Sequence, residues 1–323
     1  MVKAVRAQKS GGPEVMVYED IDLAPPGPGQ VQIKHTAIGV NFIDTYMRSG
    51  LYPTPTPFAP GNEAAGTIAA VGAGVTDFKI GDRVTYVIPG GGAYSEARNA
   101  PADRVVKLPD GITDKQAASM MLKGMTAQYL LRRTYKVQKG DTILFHAAAG
   151  GVGLIAGQWA KHLGAIVIGT VGSPEKAKLA AAHGYAHTIL YRDTDFVAAT
   201  KAIIPEGVPV VYDSVGKDTF LKSLDCLQPL GLLASFGQSS GAVEPLNTGL
   251  LAAKGSLFLT RPTLFTYIAK KEDLVATANE LFDVVAKGIV KIETSAEYAL
   301  KDAVRCHTDL EGRKTTGSVI LVP

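Results

Sequence analysis

The chain has 323 residues, 46% of them hydrophobic, with 33 Lys and Arg against 30 Asp and Glu and a net charge of +3. That length is enough for two domains with sizeable cores, and so even a charge balance argues against nucleic acid or an acidic membrane as the main partner. No apolar run is long enough to cross a bilayer and no leader-like segment precedes the first strand pattern, so a soluble, cytoplasmic protein is expected.

Residues 1 to about 110 read as β-rich. Val2, Ala4 and Ala7 run to Gly11-Gly12-Pro13, and Val15 to Tyr18 returns, the pattern of an edge hairpin. Ala24 to Gly29 is a stiff turn, and Val31 to His35 alternates as a strand. From Gly39 to Asn62 a long loop is expected, because the prolines between Tyr52 and Pro60 fit neither regular helix nor central strand. Strands around 66–71 and 82–87 complete a small barrel-like domain.

At Thr113-Asp-Lys-Gln116, a capping-box pattern, the period changes to helical and continues through Met120, Met121, Met125 and Leu130; the methionines read as core filling. Strands then alternate with helices to about residue 261: 142–145, 165–171, 188–191, 210–213, 232–236 and 256–260 as strands, with a helix opened by Ser173-Pro174. This predicts a doubly wound α/β domain, with ligands at the carboxyl ends of its strands. Pro262 to Gly288 returns to helix, and the tail strand 318–322 is expected to rejoin the first domain. Cys226 and Cys306 lie far apart in sequence and read as buried or inert thiols.

The central stretch is Thr142 to Gly153 followed by the helix to Leu163. Ile143, Leu144 and Phe145 form a short buried strand; Gly150, Gly151 and Gly153 make a tight turn; Ile155, Trp159 and Leu163 share a helix face. A strand feeding a glycine turn into a helix gathers free backbone N–H groups and the positive helix end at one point, which suits a pyrophosphate. Ala148 stands where the dinucleotide fingerprint has its first Gly, so a packed turn is the bland alternative. About 20 residues past the glycines, NAD-specific folds place an acid at the end of the second strand. Here that strand ends in Gly172-Ser173-Pro-Glu-Lys176, with Glu175 in the next helix's first turn. Ser173 can donate a hydroxyl, Lys176 a charge and Tyr191 a phenol, which together favour the 2′-phosphate of NADPH over the bare ribose of NADH. Taken singly, Ser173 reads as an N-cap and Lys176 as a solvated lysine.

Five stretches taken in order, Gly39-Val-Asn-Phe-Ile-Asp-Thr-Tyr46, Gly61-Asn-Glu-Ala-Ala-Gly66, Gly81-Asp-Arg-Val84, His146-Ala-Ala-Ala-Gly-Gly-Val-Gly153 and Tyr212-Asp-Ser-Val-Gly216, resemble the medium-chain dehydrogenases/reductases. Within that family the chain is similar to the zinc-free NADPH:quinone oxidoreductases of the zeta-crystallin type. The resemblance implies a GroES-like domain over 1–123 and 262–323, a Rossmann domain over 124–261, and NADPH in the cleft between them. Compared with the zinc alcohol dehydrogenases, Asn41 replaces a cysteine ligand, Gly61-Asn62-Glu63 replaces Gly-His-Glu, and the four-cysteine lobe is absent. No metal is therefore expected, and each of the six histidines reads as structural or exposed.

Without a Lewis acid, quinones and polarised enones are the easier hydride acceptors. Asn41, Tyr46 and Tyr52 are the candidate catalytic residues, the amide orienting the acceptor or nicotinamide and the tyrosines stacking on a planar ring or donating a proton. Tyr52 can equally be a loop anchor, and Asp44 and Glu63 can be purely structural. The expected cofactor surface comprises Asn41, Asp44, Tyr46, Thr126, Gly150, Gly151, Val152, Gly172, Ser173, Lys176, Tyr191, Phe236 and Gly237; the resemblance alone adds Arg261 and Arg313. A small quinone substrate and a homodimer paired through the edge strand Gly255 to Thr260 are expected. The alternatives are an enoyl-thioester or alkenal reductase, and an NADPH-binding non-enzyme that binds RNA or serves as a crystallin; near-neutral charge disfavours the RNA reading.

Overall fold

The computed structural model describes residues 1–323. In chain order its elements are β1 (Val2–Ala7), β2 (Met16–Ile21), β3 (Gln30–Val40), α1 (Phe42–Ser49), β4 (Glu63–Val71), β5 (Arg83–Val87), β6 (Ala97–Pro101), β7 (Val105–Lys107) and α2 (Asp114–Tyr129). The parallel region follows as β8 (Thr142–Phe145), α3 (Gly151–His162), β9 (Ile166–Val171), α4 (Pro174–Ala182), β10 (His187–Leu190), α5 (Phe196–Ile203), β11 (Val208–Asp213), α6 (Phe220–Asp225), β12 (Leu227–Ser235), α7 (Gly249–Ala253) and β13 (Phe258–Thr260). The last elements are α8 (Leu264–Tyr267), α9 (Lys271–Ala286), β14 (Thr294–Ala299), α10 (Ala303–Glu311) and β15 (Ser318–Val322).

Two compact units result: Met1–Lys123 with Ile268–Ala286 and Ile292–Pro323, and Gly124–Tyr267 with Lys287–Lys291. Residues 262–267 and 287–291, read from sequence as part of the first domain, group with the second unit.

In the first unit β1 and β2 form an antiparallel hairpin, and a seven-stranded sheet runs β14-β15-β3-β4-β5-β7 with β6 also paired to β3. The tail strand β15 pairs antiparallel with β3, placing Ile320 opposite Gly39. Val31, Ile33, Ile38, Ile68, Val84, Tyr86, Val319 and Leu321 alternate inward from these strands to make the core, the period-2 pattern of sheets with one buried face. The expected loop over 39–62 contains a helix, α1. Asn41 takes extended backbone as its N-cap, Asp44 accepts the Asn41 N–H at 2.9 Å, and Gly50 ends it at φ 83°. Eight residues between glycines and a proline run are too few to show a period, which is why the sequence reads as loop there.

The second unit is a six-stranded parallel sheet ordered β10-β9-β8-β11-β12-β13. Leu144, Ile168, Ile189, Val208, Val211 and Leu233 fill the core on which Phe196, Phe220 and Leu224 of α5 and α6 pack. The order reverses between β8 and β11, so the carboxyl ends of β8, β9 and β11 flank a topological switch point. The capping box forms as read, with Thr113 N–H on Gln116 Oε1 at 3.0 Å and Gln116 N–H on Thr113 Oγ1 at 3.2 Å. No helix is long and apolar enough to cross a membrane.

Candidate active site

In the first unit, the end of β3 delivers Asn41 onto buried charge. Its Nδ2 donates to Glu63 Oε1 at 2.7 Å; facing a carboxylate, the amide must present nitrogen there. Lys123 Nζ stands 3.3 Å from the same oxygen and donates to Val40 O at 3.1 Å, while Glu63 Oε2 accepts the Leu122 N–H at 2.7 Å. Glu63 and Lys123 are both buried. Sequence left Glu63 undecided and passed over Lys123; what the pair does is fix the rotamer of Asn41.

Asp44 is fully buried, and its carboxylate is taken up by the Asn41 N–H, by Asn62 Nδ2 at 2.7 Å and by Tyr94 Oη at 3.2 Å. Burial pushes its pKa up to about 7 against those hydrogen bonds. These bonds let it shape the start of α1. Behind it, Arg48 Nη1 lies 3.1 Å from His307 Nδ1, and His307 Nε2 lies 2.9 Å from Tyr94 Oη. Arginine only donates, so Nδ1 is the unprotonated nitrogen and protons point from Arg48 through His307 and Tyr94 to Asp44. Burial, reinforced by Arg48, lowers His307 to about 3, and His35, on Ser95 O and Tyr86, lies at about 4. Both are structural histidines.

Asn41 and Asn62 each turn amide N–H groups onto a carboxylate, and no group of three His, Cys, Asp or Glu side chains is arranged to hold a metal. On the other side of α1, half-buried Tyr46 and Tyr52 form an edge-to-face pair with centroids 5.3 Å apart, set by the Tyr52 N–H on Tyr46 O. Arg313 is exposed just past α10, in left-handed backbone at φ 57°.

In the second unit, five nominated segments lie at the carboxyl ends of parallel strands: 150–152 after β8, 172–176 after β9, Tyr191 after β10, 236–237 after β12 and Arg261 after β13. Thr126 belongs to α2 and is buried. The turn after β8 opens with Ala147 at φ 54°, and Gly150 caps α3. A Cβ on Gly153 would come within 2.6 Å of Ala148 O, so this position admits only glycine. A Cβ on Gly150 would meet nothing but Ala147 O, at 3.1 Å, which leaves its outer side open. Gly150, Gly151 and Val152 are partly exposed at the start of a 12-residue helix. The Gly150 N–H is held by Ala147 O at 2.9 Å, and the backbone N–H groups of Gly151 and Val152 at this positive helix end suit a pyrophosphate.

Around Gly172 the second half of the cradle forms. A Cβ there would meet Arg192 Nε and Tyr191 Oη, both at 3.5 Å. Ser173 caps α4, its Oγ accepting the Lys176 N–H at 3.3 Å while its hydroxyl donates to the Glu175 carboxylate. Arg192 and Tyr191 thus face this glycine, Ser173 and Lys176 follow it in sequence, and the acids nearest in sequence are Glu175, exposed in the first helical turn, and Asp193, exposed just past Arg192. That composition fits a phosphomonoester. Arg192 was missed in the sequence because it stands one residue past Tyr191 among charged loop residues.

The chain matches the family described as zinc-binding dehydrogenase over residues 151–287 and the alcohol dehydrogenase GroES-like domain over 27–110. It is 54% identical over 326 residues to the quinone oxidoreductase of Pseudomonas aeruginosa, covering 100% of both. The crystal structure of Escherichia coli quinone oxidoreductase complexed with NADPH superposes with a TM-score of 0.98 at 50% identity, over 99% of this chain and 100% of that one. A 2-haloacrylate reductase from a Burkholderia species is 46% identical over 100% of this chain and 99% of its own. With a GroES-like unit, a Rossmann unit and amides at the zinc-ligand positions, the chain belongs to the medium-chain dehydrogenases/reductases, in their zinc-free quinone oxidoreductase branch.

Proposed function

We propose that this protein reduces quinones with NADPH and uses no metal ion to do so. The observation that carries this is the turn at Gly172, which Tyr191 Oη and Arg192 Nε face and which Ser173 and Lys176 follow in sequence. The bound dinucleotide supplies the hydride; binding, orientation and proton delivery fall to the chain. Backbone N–H groups of Gly151 and Val152, in the turn opened by Gly150, hold the pyrophosphate, and Lys176 and Arg192 with the two hydroxyls hold the 2′-phosphate. Phe236 and Gly237 border the same row of strand ends, and Thr126, Arg261 and Arg313 add further contacts.

Asn41, its rotamer fixed by Glu63 and Lys123, orients the nicotinamide side or the acceptor oxygen. Tyr46 and Tyr52 offer an aromatic wall for a planar ring, and the Tyr52 hydroxyl or water delivers the proton. A quinone spreads the arriving negative charge over two oxygens, so hydrogen bonds suffice where alcohol chemistry calls for a Lewis acid. A steady-state panel of NADPH oxidation with quinones, enones, enoyl thioesters and 2-haloacrylate tests the assignment. Quinones should give the highest kcat/KM, unchanged in a chelator; a preference for the alkenes would move the protein to the reductases of activated double bonds.

We read the molecule further as a soluble cytoplasmic homodimer. Strand β13 closes the sheet, with Phe258 59% and Leu259 38% exposed on it, an uncharged edge suited to a second copy. A monomer mass by light scattering at micromolar concentration would overturn this.

A further inference from the structure

Two motifs of the chain remain without a role, His146 and Tyr212-Asp-Ser-Val-Gly216, and in the folded second unit they meet. His146 Nδ1 lies 2.8 Å from Thr170 Oγ1, and its Nε2 lies 3.0 Å from Ser223 Oγ. Ser223 Oγ is 3.1 Å from Asp213 Oδ2. Asp213 also accepts the N–H groups of Val215 at 2.8 Å and Gly216 at 3.1 Å, and the Thr219 hydroxyl at 2.8 Å. All these side chains are buried, and Phe196 stands edge-on against the imidazole.

The proton order follows from satisfying every group. With the proton on Nε2, Thr170 donates to His146 and His146 to Ser223, whose hydroxyl proton has Asp213 Oδ2 at 3.1 Å and Thr219 O at 2.9 Å as acceptors. With the proton on Nδ1, the Thr170 hydroxyl has no acceptor and Asp213 loses a donor. Burial also keeps the ring neutral, lowering its pKa below the ordinary histidine value against the pull of Asp213.

The cluster touches each backbone segment assigned to the dinucleotide. His146 is followed directly by the left-handed Ala147 and the glycine turn. Thr170 O accepts the Ala148 N–H at 3.1 Å, and Thr170 lies two residues before Gly172. Asp213 O accepts the Phe236 N–H at 2.7 Å, and a Cβ on Gly237 would meet Ser214 O at 2.7 Å. Four strands and α6 are thereby tied at one end of the sheet.

We propose that His146, through Thr170 on one side and Ser223 with Asp213 on the other, is a positioning residue that sets the spacing between the glycine turn, the Gly172 turn and the Phe236-Gly237 segment. The proposal rests on the cofactor reading above. Because the cluster aligns backbone shared by both dinucleotides, its loss should weaken NADPH and NADH alike, and leave turnover at saturating cofactor nearly unchanged.

The test is dinucleotide binding by fluorescence titration and steady-state kinetics on Thr170→Val, which keeps shape and removes the hydroxyl, and on Ser223→Ala, with Thr170→Ser as the rescue. Thr170→Val and Ser223→Ala should each raise the Kd of both dinucleotides by about tenfold, with kcat within about twofold; Thr170→Ser should stay within about twofold of wild type throughout. Folded Thr170→Val and Ser223→Ala proteins with unchanged affinity would overturn the proposal, as would a loss confined to NADPH. Should either variant not fold, the imidazole 15N spectrum of the wild type decides: an Nε2–H tautomer for His146 supports the chain of donors and an Nδ1–H tautomer refutes it. A wild type that binds no NADPH would instead remove the cofactor reading, independently of how the variants compare.

Discussion

Each unit hides a polar cluster beneath the surface assigned to chemistry, and the two are built from different materials. Under Asn41 the first unit buries full charges, Glu63 with Lys123 and the guanidinium of Arg48, whose partner Glu311 is exposed, beside the buried Asp44. Under the glycine turn the second unit buries hydroxyls, an imidazole and one carboxylate answered by backbone N–H groups. A buried ion pair fixes a rotamer firmly, but losing one partner strands a charge. A chain of neutral donors is more forgiving, so its loss shows as misalignment before it shows as unfolding. The first unit should therefore fail by stability and the second by affinity.

The largest expected effect tests that contrast directly. Lys123→Ala strands Glu63 and should destabilise the protein by about 3–5 kcal/mol, read as a lowered midpoint in denaturant. A loss near that of an exposed lysine would mean that the pair is not what secures Asn41. In the second unit, Lys176→Ala should weaken NADPH binding by roughly ten- to a hundredfold with little change in stability or in NADH binding. Equal weakening of both cofactors would dissolve the 2′-phosphate assignment. Arg192→Ala should act in the same direction but more weakly, about threefold, because its charge is screened by solvent.

Two smaller effects sharpen the picture of the first unit. Asp44 is raised to about 7, above its unfolded value, so protonation favours the folded state. That contribution is fully present below the unfolded pKa and is lost as pH rises through about 7. Asp44→Asn lacks it, so the wild type's advantage in Tm over this variant should widen as pH falls from about 8 to about 5. A constant difference would show that Asp44 stays ionised. Tyr52→Phe should lower kcat by no more than about threefold, since water can supply the proton; a collapse in turnover with intact NADPH binding would make Tyr52 an essential acid.

What could be read from the residues alone was whatever is contiguous. Strand β8, the glycine turn and α3 carry their periods within one stretch, and Ser173-Pro174 announces its helix. The return of β15 to the first unit followed from a terminal strand needing a sheet. Long-range pairings left no local trace: Tyr94 meets His307 across 213 residues and His146 meets Ser223 across 77. Helix α1 hid because its signal is a cap and a bidentate anchor, Arg48 on Glu311, with no repeating apolar face long enough to count. For Asp44, sequence shows the residue's type and not that Asn41, Asn62 and Tyr94 donate to its oxygens.

The pairing of β15 with β3 also fixes a timetable. The second unit's sheet, β8 to β13, lies in one uninterrupted stretch, whereas the first unit's main sheet needs a strand ending at Val322 to flank one that starts at Gln30. Such a closure must wait for nearly the whole chain, and long-range strand pairing is slow even then. The interior of the chain should mature before its beginning. In pulsed hydrogen exchange during refolding, amides of β8, β9 and β11 should gain protection ahead of those of β3 and β15; the reverse order would mean that the ends of the chain find each other before the middle has formed.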